Sequence, residues 1–316
     1  MGILDHSFVA MGGPCRIRVQ AHNAKLARDA ATLAEAEVRR LELKYSRYLQ
    51  DSVTSDINRS AGAVEATRID AETAGLLNYA QTLWHESAGL FDLTSGVLRK
   101  AWDFKSGQLP LQEDIDKLLP LVDWNGVRWD ESSIRLPKQG MEIDFGGCVK
   151  EYASDAAAAV LRRVGVHRAL VDLSGDMAAV GDKDESEPWV IGIRDPVNKS
   201  QAAASIALSH GALASSGDYE RCMEIDGTRY GHILNPLTGW PIQGGLLAVS
   251  VMASQCLVAG SAATIAMLKP SGEALNWLDE LGVAWLAVDR EGSVHGTIKQ
   301  EMRASETTAQ HSDTCN

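Results

Sequence analysis

The sequence predicts an α+β fold of mixed helices and strands, and three observations carry that reading. Apolar residues recur at helical spacing in some stretches, they alternate or cluster over strand-length runs in others, and glycine turns divide the two kinds of segment. At 316 residues the chain can bury one large core, or two lobes sharing a cleft, since domains commonly run about 100–200 residues. One domain over residues 1–304 is expected, followed by a polar, disordered tail at 305–316.

Residues 15–20 alternate as a strand, and residues 24–48 carry Leu26, Leu33, Ala34, Val38 and Leu41 at helical spacing. A second helix is expected over 72–87, and a third over 109–119, opened by Pro110 and ended by Pro120. Short strands over 134–136 and 141–145 flank a turn-forming run, and a helix over 151–164 is closed by Gly165. Strands over 167–173 and 189–193 run into Ser174-Gly175-Asp176 and Asp195-Pro196, and Asp226-Gly227 marks a hairpin. The 25 residues from 244 to 268 are uncharged, long enough to raise a membrane span, but Ser250, Ser254, Gln255, Ser261 and Thr264 interrupt them. A strand over 246–253 and a small-residue helix over 257–268 account for the run, so no transmembrane segment is expected.

Lys and Arg total 30 against 42 Asp and Glu, and the formal charge of −12 repels nucleic-acid phosphates and anionic lipid. Nucleic acid is excluded as a partner on that ground. The five cysteines form no C-x-x-C pair, which suggests neither a zinc cluster nor a disulfide framework and fits a reducing compartment. Residues 1–8 contain Asp5 and His6 and show no basic or apolar leader region, so a cytoplasmic location is expected.

Three constellations could carry chemistry. In Asp144-Phe145-Gly146-Gly147-Cys148-Val149-Lys150, a glycine turn delivers Lys150 to a helix N-terminus, where amide groups and the helix dipole favour phosphate. A tight strand–helix connection with a solvated lysine would look the same. Ser215-Ser216-Gly217-Asp218-Tyr219-Glu220-Arg221 precedes Gly231-His232-Ile233-Leu234-Asn235-Pro236-Leu237-Thr238-Gly239. The Asn-Pro turn would hold His232 on a defined loop, as a general base requires, although an isolated histidine also serves as a structural hydrogen-bonder. Ala259-Gly260-Ser261-Ala262-Ala263-Thr264 reads either as close helix packing or as the lining of a ligand cleft. H-E-x-x-H, G-x-S-x-G, Walker A and G-x-G-x-x-G are all absent, which disfavours zincin, hydrolase, P-loop and Rossmann readings.

Taken in chain order from Met11 to about Gly282, these segments resemble the ApbE flavin transferases. Met11-Gly12 is similar to that family's opening Met-Gly. Tyr45-Ser46-Arg47-Tyr48 with Asp51-Ser52 and Ile57-Asn58 is similar to its Tyr-Ser-Asn segment, and Gly89-Leu90-Phe91-Asp92-Leu93-Thr94 to its F-D-x-T turn. Residues 144–155 resemble L-G-G-x-A-K-G-Y-A-x-D, and Ser174-Gly175-Asp176 its G-G-D. Residues 216–221 and 232–239 resemble S-G-D-Y-E-R and H-I-x-D-P-x-T-G most closely.

The resemblance implies an ApbE-like, T-fold-like architecture with an FAD cleft, and transfer of FMN from FAD to a Thr or Ser hydroxyl of an acceptor protein, with release of AMP. It implies His232 as the base and Lys150 as a catalytic phosphate contact. Its flavin-binding set maps onto Met11, Tyr48, Leu90, Phe91, Asp92, Gly147, Lys150, Tyr152, Asp155, Ser174, Gly175, Asp218, His232, Ile233, Thr238 and Gly239. A magnesium site is implied at the Val149 carbonyl and the Thr264 hydroxyl. Here the chain departs from the pattern: Gly260 stands where the family's helix carries an aspartate, Glu151 replaces the glycine after Lys150, and Asn235 replaces an aspartate. Glu151 is therefore a third candidate metal ligand, or simply an acid favoured in the first turn of a helix. FAD hydrolysis and non-catalytic FAD binding are the competing functions.

Overall fold

The computed structural model describes residues 2–184, 187–198, 201–218 and 222–298; the tail expected at 305–316 and Tyr219, Glu220 and Arg221 lie outside them. Eight strands form one sheet whose spatial order is the chain order: β1 (Ile3–Ala10), β2 (Gly13–Gln20), β3 (Ala169–Leu173), β4 (Asp176–Val180), β5 (Gly211–Gly217), β6 (Ala248–Ala253), β7 (Ala284–Val288) and β8 (Val294–Gly296). Every neighbouring pair is antiparallel. The connections β1–β2, β3–β4, β5–β6 and β7–β8 consequently gather at one end of the sheet.

Both faces of the sheet are buried, and the strands divide their side chains between them with period two. Val171, Ala178, Ala214, Val249 and Ala287 face the helical layer, whereas Leu170, Ala179, Leu213, Leu286 and Val288 face a hairpin made of Trp189–Arg194 and Ala202–Leu208. The helical layer comprises α1 (Ala24–Tyr45), α5 (Val149–Arg163) and α6 (Cys256–Met267). Helices α2 (Val53–Arg59), α3 (Ala71–Glu86), α4 (Gln112–Leu118) and α7 (Ser271–Glu280) are the other α-helices among the described residues.

Small residues bring α1 against α5: Ala27, Ala30, Ala31 and Ala34 of one and Ala153, Ala157 and Ala158 of the other are buried. Helix α1 starts at Asn23, whose side chain accepts from the amides of Lys25 and Leu26, and stops at Ser46 in an extended conformation. It is therefore shorter than the 24–48 span expected. Helix α5 ends in a Schellman motif, with Val166 N–H donating to Leu161 O at 3.0 Å and Gly165 N–H to Arg162 O at 3.1 Å.

The third helix begins only at Gln112, because Leu111 after Pro110 is extended. Residues 141–144 belong to no sheet and Phe145 opens a 3-10 turn over Phe145–Gly147, so the strand expected over 141–145 does not form. Their backbone groups are satisfied otherwise: the Asn58 side chain accepts from Ile143 N–H at 2.8 Å and donates to its carbonyl at 3.0 Å, and Asp144 N–H donates to Leu93 O at 2.9 Å. The uncharged run at 244–268 is β6 followed by α6, as expected, and among the described residues no helix is long and apolar enough to cross a membrane.

Candidate functional site

The shared end of the sheet collects most of the residues singled out in the sequence. In the β1–β2 turn, Met11 N–H donates to Glu42 Oε1 at 2.6 Å. In the adjacent β3–β4 turn, the Ser174 hydroxyl donates to Pro14 O at 2.9 Å. A side chain at Gly13 would place its Cβ 2.2 Å from Ser174 Oγ, so the two turns are in direct contact.

A second group comes from the loops before α5. Gly147 lies against the Phe91 ring, where a Cβ would be 3.5 Å away. Asp144 pairs with Arg47, whose guanidinium lies 4.9 Å from the centre of the Tyr48 ring. Tyr48 is 79% exposed, which makes it accessible to a planar ligand. Asp92 accepts from Thr94 N–H at 2.7 Å and from its hydroxyl at 2.5 Å, and burial raises its pKa despite these bonds.

Lys150, Glu151 and Asp176 form the electrostatic centre. The Lys150 ammonium is 2.5 Å from Asp176 Oδ2, and Asp176 Oδ1 accepts from Ser215 N–H at 3.2 Å. Asp176 is 1% exposed and Glu151 7%. Burial, and then the neighbouring Asp176 charge, push the Glu151 carboxyl well above the usual range. Burial raises Asp176 too, with Lys150 opposing it. Burial works against the Lys150 ammonium, but the charges of Asp176 and Glu151 prevail and its pKa is raised.

The Glu151 carboxyl projects onto α6 at Gly260, where a Cβ would stand 2.4 Å from Glu151 Cγ and 2.9 Å from Oε1. Glycine inside a helix costs roughly 0.5–1 kcal/mol relative to alanine, so this approach is maintained against local propensity. One turn further along α6, the hydroxyls of Thr264 and Ser216 lie 3.1 Å apart.

The last group surrounds His232, an exposed residue following the hairpin of Cys222–Ile225 and Thr228–Gly231, which turns at Asp226-Gly227 as expected. Asn235 holds the loop: its side chain accepts from Leu237 N–H and its carbonyl from Gly239 N–H, both at 2.8 Å. An amide makes this Asx turn as readily as a carboxylate. Ile233 packs against α6 and β5–β6, Thr238 is exposed, and Gly239 fits only without a side chain, its Cβ position being 2.4 Å from Ile115 Cγ2. Asp218 is 4% exposed, and its Oδ2 accepts from Arg290 Nη2 at 2.9 Å.

Arg290, in the β7–β8 connection, has no motif to mark it in the sequence; neither its role nor those of Asp176 and Ser216 was assigned there. Replacing Arg290 by Met leaves Asp218 buried without its closest counter-charge, since Arg229 is 4.0 Å away. The expected loss of stability is about 1–3 kcal/mol, read as a lower urea midpoint. An unchanged midpoint would show that Arg290 is not holding Asp218.

Two of the flavin-set residues face away from this centre. Tyr152 donates to Glu72 Oε1 at 3.1 Å, within the Arg40–Lys44–Glu72 ion cluster of α1 and α3. Asp155 accepts from Cys256 N–H at 2.8 Å and Leu257 N–H at 2.9 Å, capping α6 where Gln255 provides no side-chain cap. Val149 opens α5 and is buried.

The ApbE family model matches residues 11–287. A relative from Klebsiella pneumoniae, FAD:protein FMN transferase, is 30% identical over 81% of this chain and 79% of its own length. The fold superimposes on the ApbE protein of Thermotoga maritima with a TM-score of 0.85 at 29% identity, covering 94% of this chain and 97% of that one. The apo flavinyl transferase ApbE of Pseudomonas stutzeri matches with a TM-score of 0.81 at 27% identity, over 94% of each chain. The match to the family model spans every turn and loop gathered at this end of the sheet except the Arg290 connection, and the chain belongs to the ApbE family.

Proposed function

We propose that this chain binds FAD at the shared end of the sheet and transfers its FMN half to a Thr or Ser hydroxyl of an acceptor protein, releasing AMP. The observation that carries the proposal is convergence: a paired lysine at the start of α5, a histidine on a fixed loop and an exposed aromatic ring reach one end of the sheet from segments more than 180 residues apart. The naming of the Klebsiella relative supports it.

In the reaction, the acceptor oxygen forms a bond to the FMN phosphorus as the pyrophosphate bridge to AMP breaks. His232 takes the acceptor proton and AMP carries away the displaced electron pair. Such transfers depend mainly on alignment and charge neutralisation. Met11 and Tyr48 would pack on the isoalloxazine, with Leu90, Phe91 and Asp92 at its edge. Gly147 and Lys150 would meet the phosphates, with Lys150 shifting part of its charge from Asp176. Ser174, Gly175, Asp218, Ile233, Thr238 and Gly239 would line the remainder, and Tyr152 and Asp155 would fix the helices beneath.

Magnesium would lie among the Val149 carbonyl, the Glu151 carboxylate and the Thr264 hydroxyl. These are the hard oxygen donors it prefers, and the buried Glu151 carboxyl is in contact with the Asp176 carboxyl, a pair that a cation would relieve of mutual repulsion. When bound, the ion supplies neutralisation of pyrophosphate charge. The unpaired cysteines Cys15, Cys148, Cys222 and Cys256 support a reducing, cytoplasmic location.

Incubation with FAD, Mg²⁺ and a flavin-acceptor domain should yield acceptor carrying covalent FMN, together with AMP, by mass spectrometry. Free FMN and AMP with unmodified acceptor would replace the proposal with hydrolysis, and unchanged FAD would reduce it to binding.

A further inference from the structure

Glu151 and Gly260 belong to different helices and are more than 100 residues apart in the chain, yet they occupy one volume. Any side chain at 260 would begin 2.4 Å from Glu151 Cγ and 2.9 Å from its carboxyl carbon. The carboxyl can therefore lie against α6 only because position 260 is glycine. Its neighbour there is the Asp176 carboxyl, with which it is in hydrogen-bond contact, and Lys150, the cation at the start of the same helix, is bound to Asp176 rather than to Glu151. Two buried carboxyls in contact require either a shared proton or a cation between them. The Thr264 hydroxyl, one turn along α6 from Gly260, adds a neutral oxygen on the same side.

We propose that Glu151 and Gly260 act as one device, in which the missing side chain at 260 makes room for the Glu151 carboxylate to serve as the anionic donor to a divalent cation bound with FAD. The inference rests on the FAD-binding reading above. It makes position 260 and position 151 interdependent: a carboxylate supplied from one excludes a side chain at the other. Oxygen ligands and a compact space suit Mg²⁺ or Mn²⁺.

Mn²⁺ binding followed by electron paramagnetic resonance, on protein stripped with EDTA and then saturated with FAD, tests the device without relying on turnover. Glu151→Gln, nearly isosteric, should weaken Mn²⁺ at least tenfold. Gly260→Ala should weaken it similarly although the carboxylate is still present, because the added methyl displaces it. Glu151→Gly combined with Gly260→Asp should recover affinity to within a few-fold of the parent, whereas Gly260→Asp alone should not. FAD affinity measured in EDTA should stay within about threefold for Glu151→Gln.

Mn²⁺ affinity unchanged in Glu151→Gln, or a parent protein that binds FAD and no Mn²⁺, would overturn the device while leaving the FAD reading intact. A parent protein that fails to bind FAD at all would overturn the FAD reading first and the device with it.

Discussion

Replacing His232 by alanine should slow FMN transfer by about 10²-fold or more while changing FAD affinity by only a few-fold. The imidazole is exposed, at the end of a strand whose last residue, Gly231, abuts Asp218: a Cβ there would stand 2.7 Å from that of Asp218. The loop that follows is fixed through Asn235, and Trp102 Nε1–H donates to Gly239 O at 2.8 Å. Neither of these bonds involves the imidazole, so the loss should fall on proton removal rather than on the pocket. Single-turnover flavinylation at saturating FAD, beside calorimetric FAD binding, separates the two. Parallel loss of binding and turnover would make His232 a pocket residue.

The second large effect is expected at Lys150. Its ammonium is the cation on Asp176, a carboxylate 1% exposed with the Glu151 carboxyl as a neighbour. Lys150→Met brings two buried acids together without it. Breaking one partner of a buried pair typically costs about 3–5 kcal/mol. The Lys150 side chain is 27% exposed, so water softens the loss and about 3 kcal/mol is expected in urea unfolding. Adding Asp176→Asn should return part of it, with a coupling of about 1–3 kcal/mol. Lys150→Met unfolding at the parent midpoint would show that the pair contributes nothing to folding. FAD affinity should fall as well, because the same ammonium is the proposed phosphate contact.

Those two residues were legible because each stands at a marked boundary, Lys150 after a double glycine and His232 before an Asn-Pro turn. The end of α5 was legible for the same reason, at Gly165, whereas the end of α1 and the start of α4 had no such mark and were misplaced by three residues each. Other features had no such mark. Strand β1 carries Asp5 and His6 on an edge where alternate side chains are exposed, so it lacks the apolar pattern of a buried strand. Strand β5, Gly211–Gly217, is made of small residues with little β-propensity and is held by its neighbours. Residues 141–145 have strand-like composition, but Asn58 takes the place of a neighbouring strand. An acid missing at 260 and an acid added at 151 are separate facts in sequence; only their contact across two helices makes them one.

The sheet's chain-ordered strands also set when a nascent molecule becomes competent. A ribosome releases the Met11 turn some 280 residues before the Arg290 connection. Until β7 and β8 dock, Asp218 lacks its closest guanidinium and only the more distant Arg229 faces the acid beside the His232 loop. A chain cut before β7 would thus hold most of the segments proposed to contact the ligand without their mutual alignment. Flavin capture should therefore follow the docking of β7 and β8 rather than precede it.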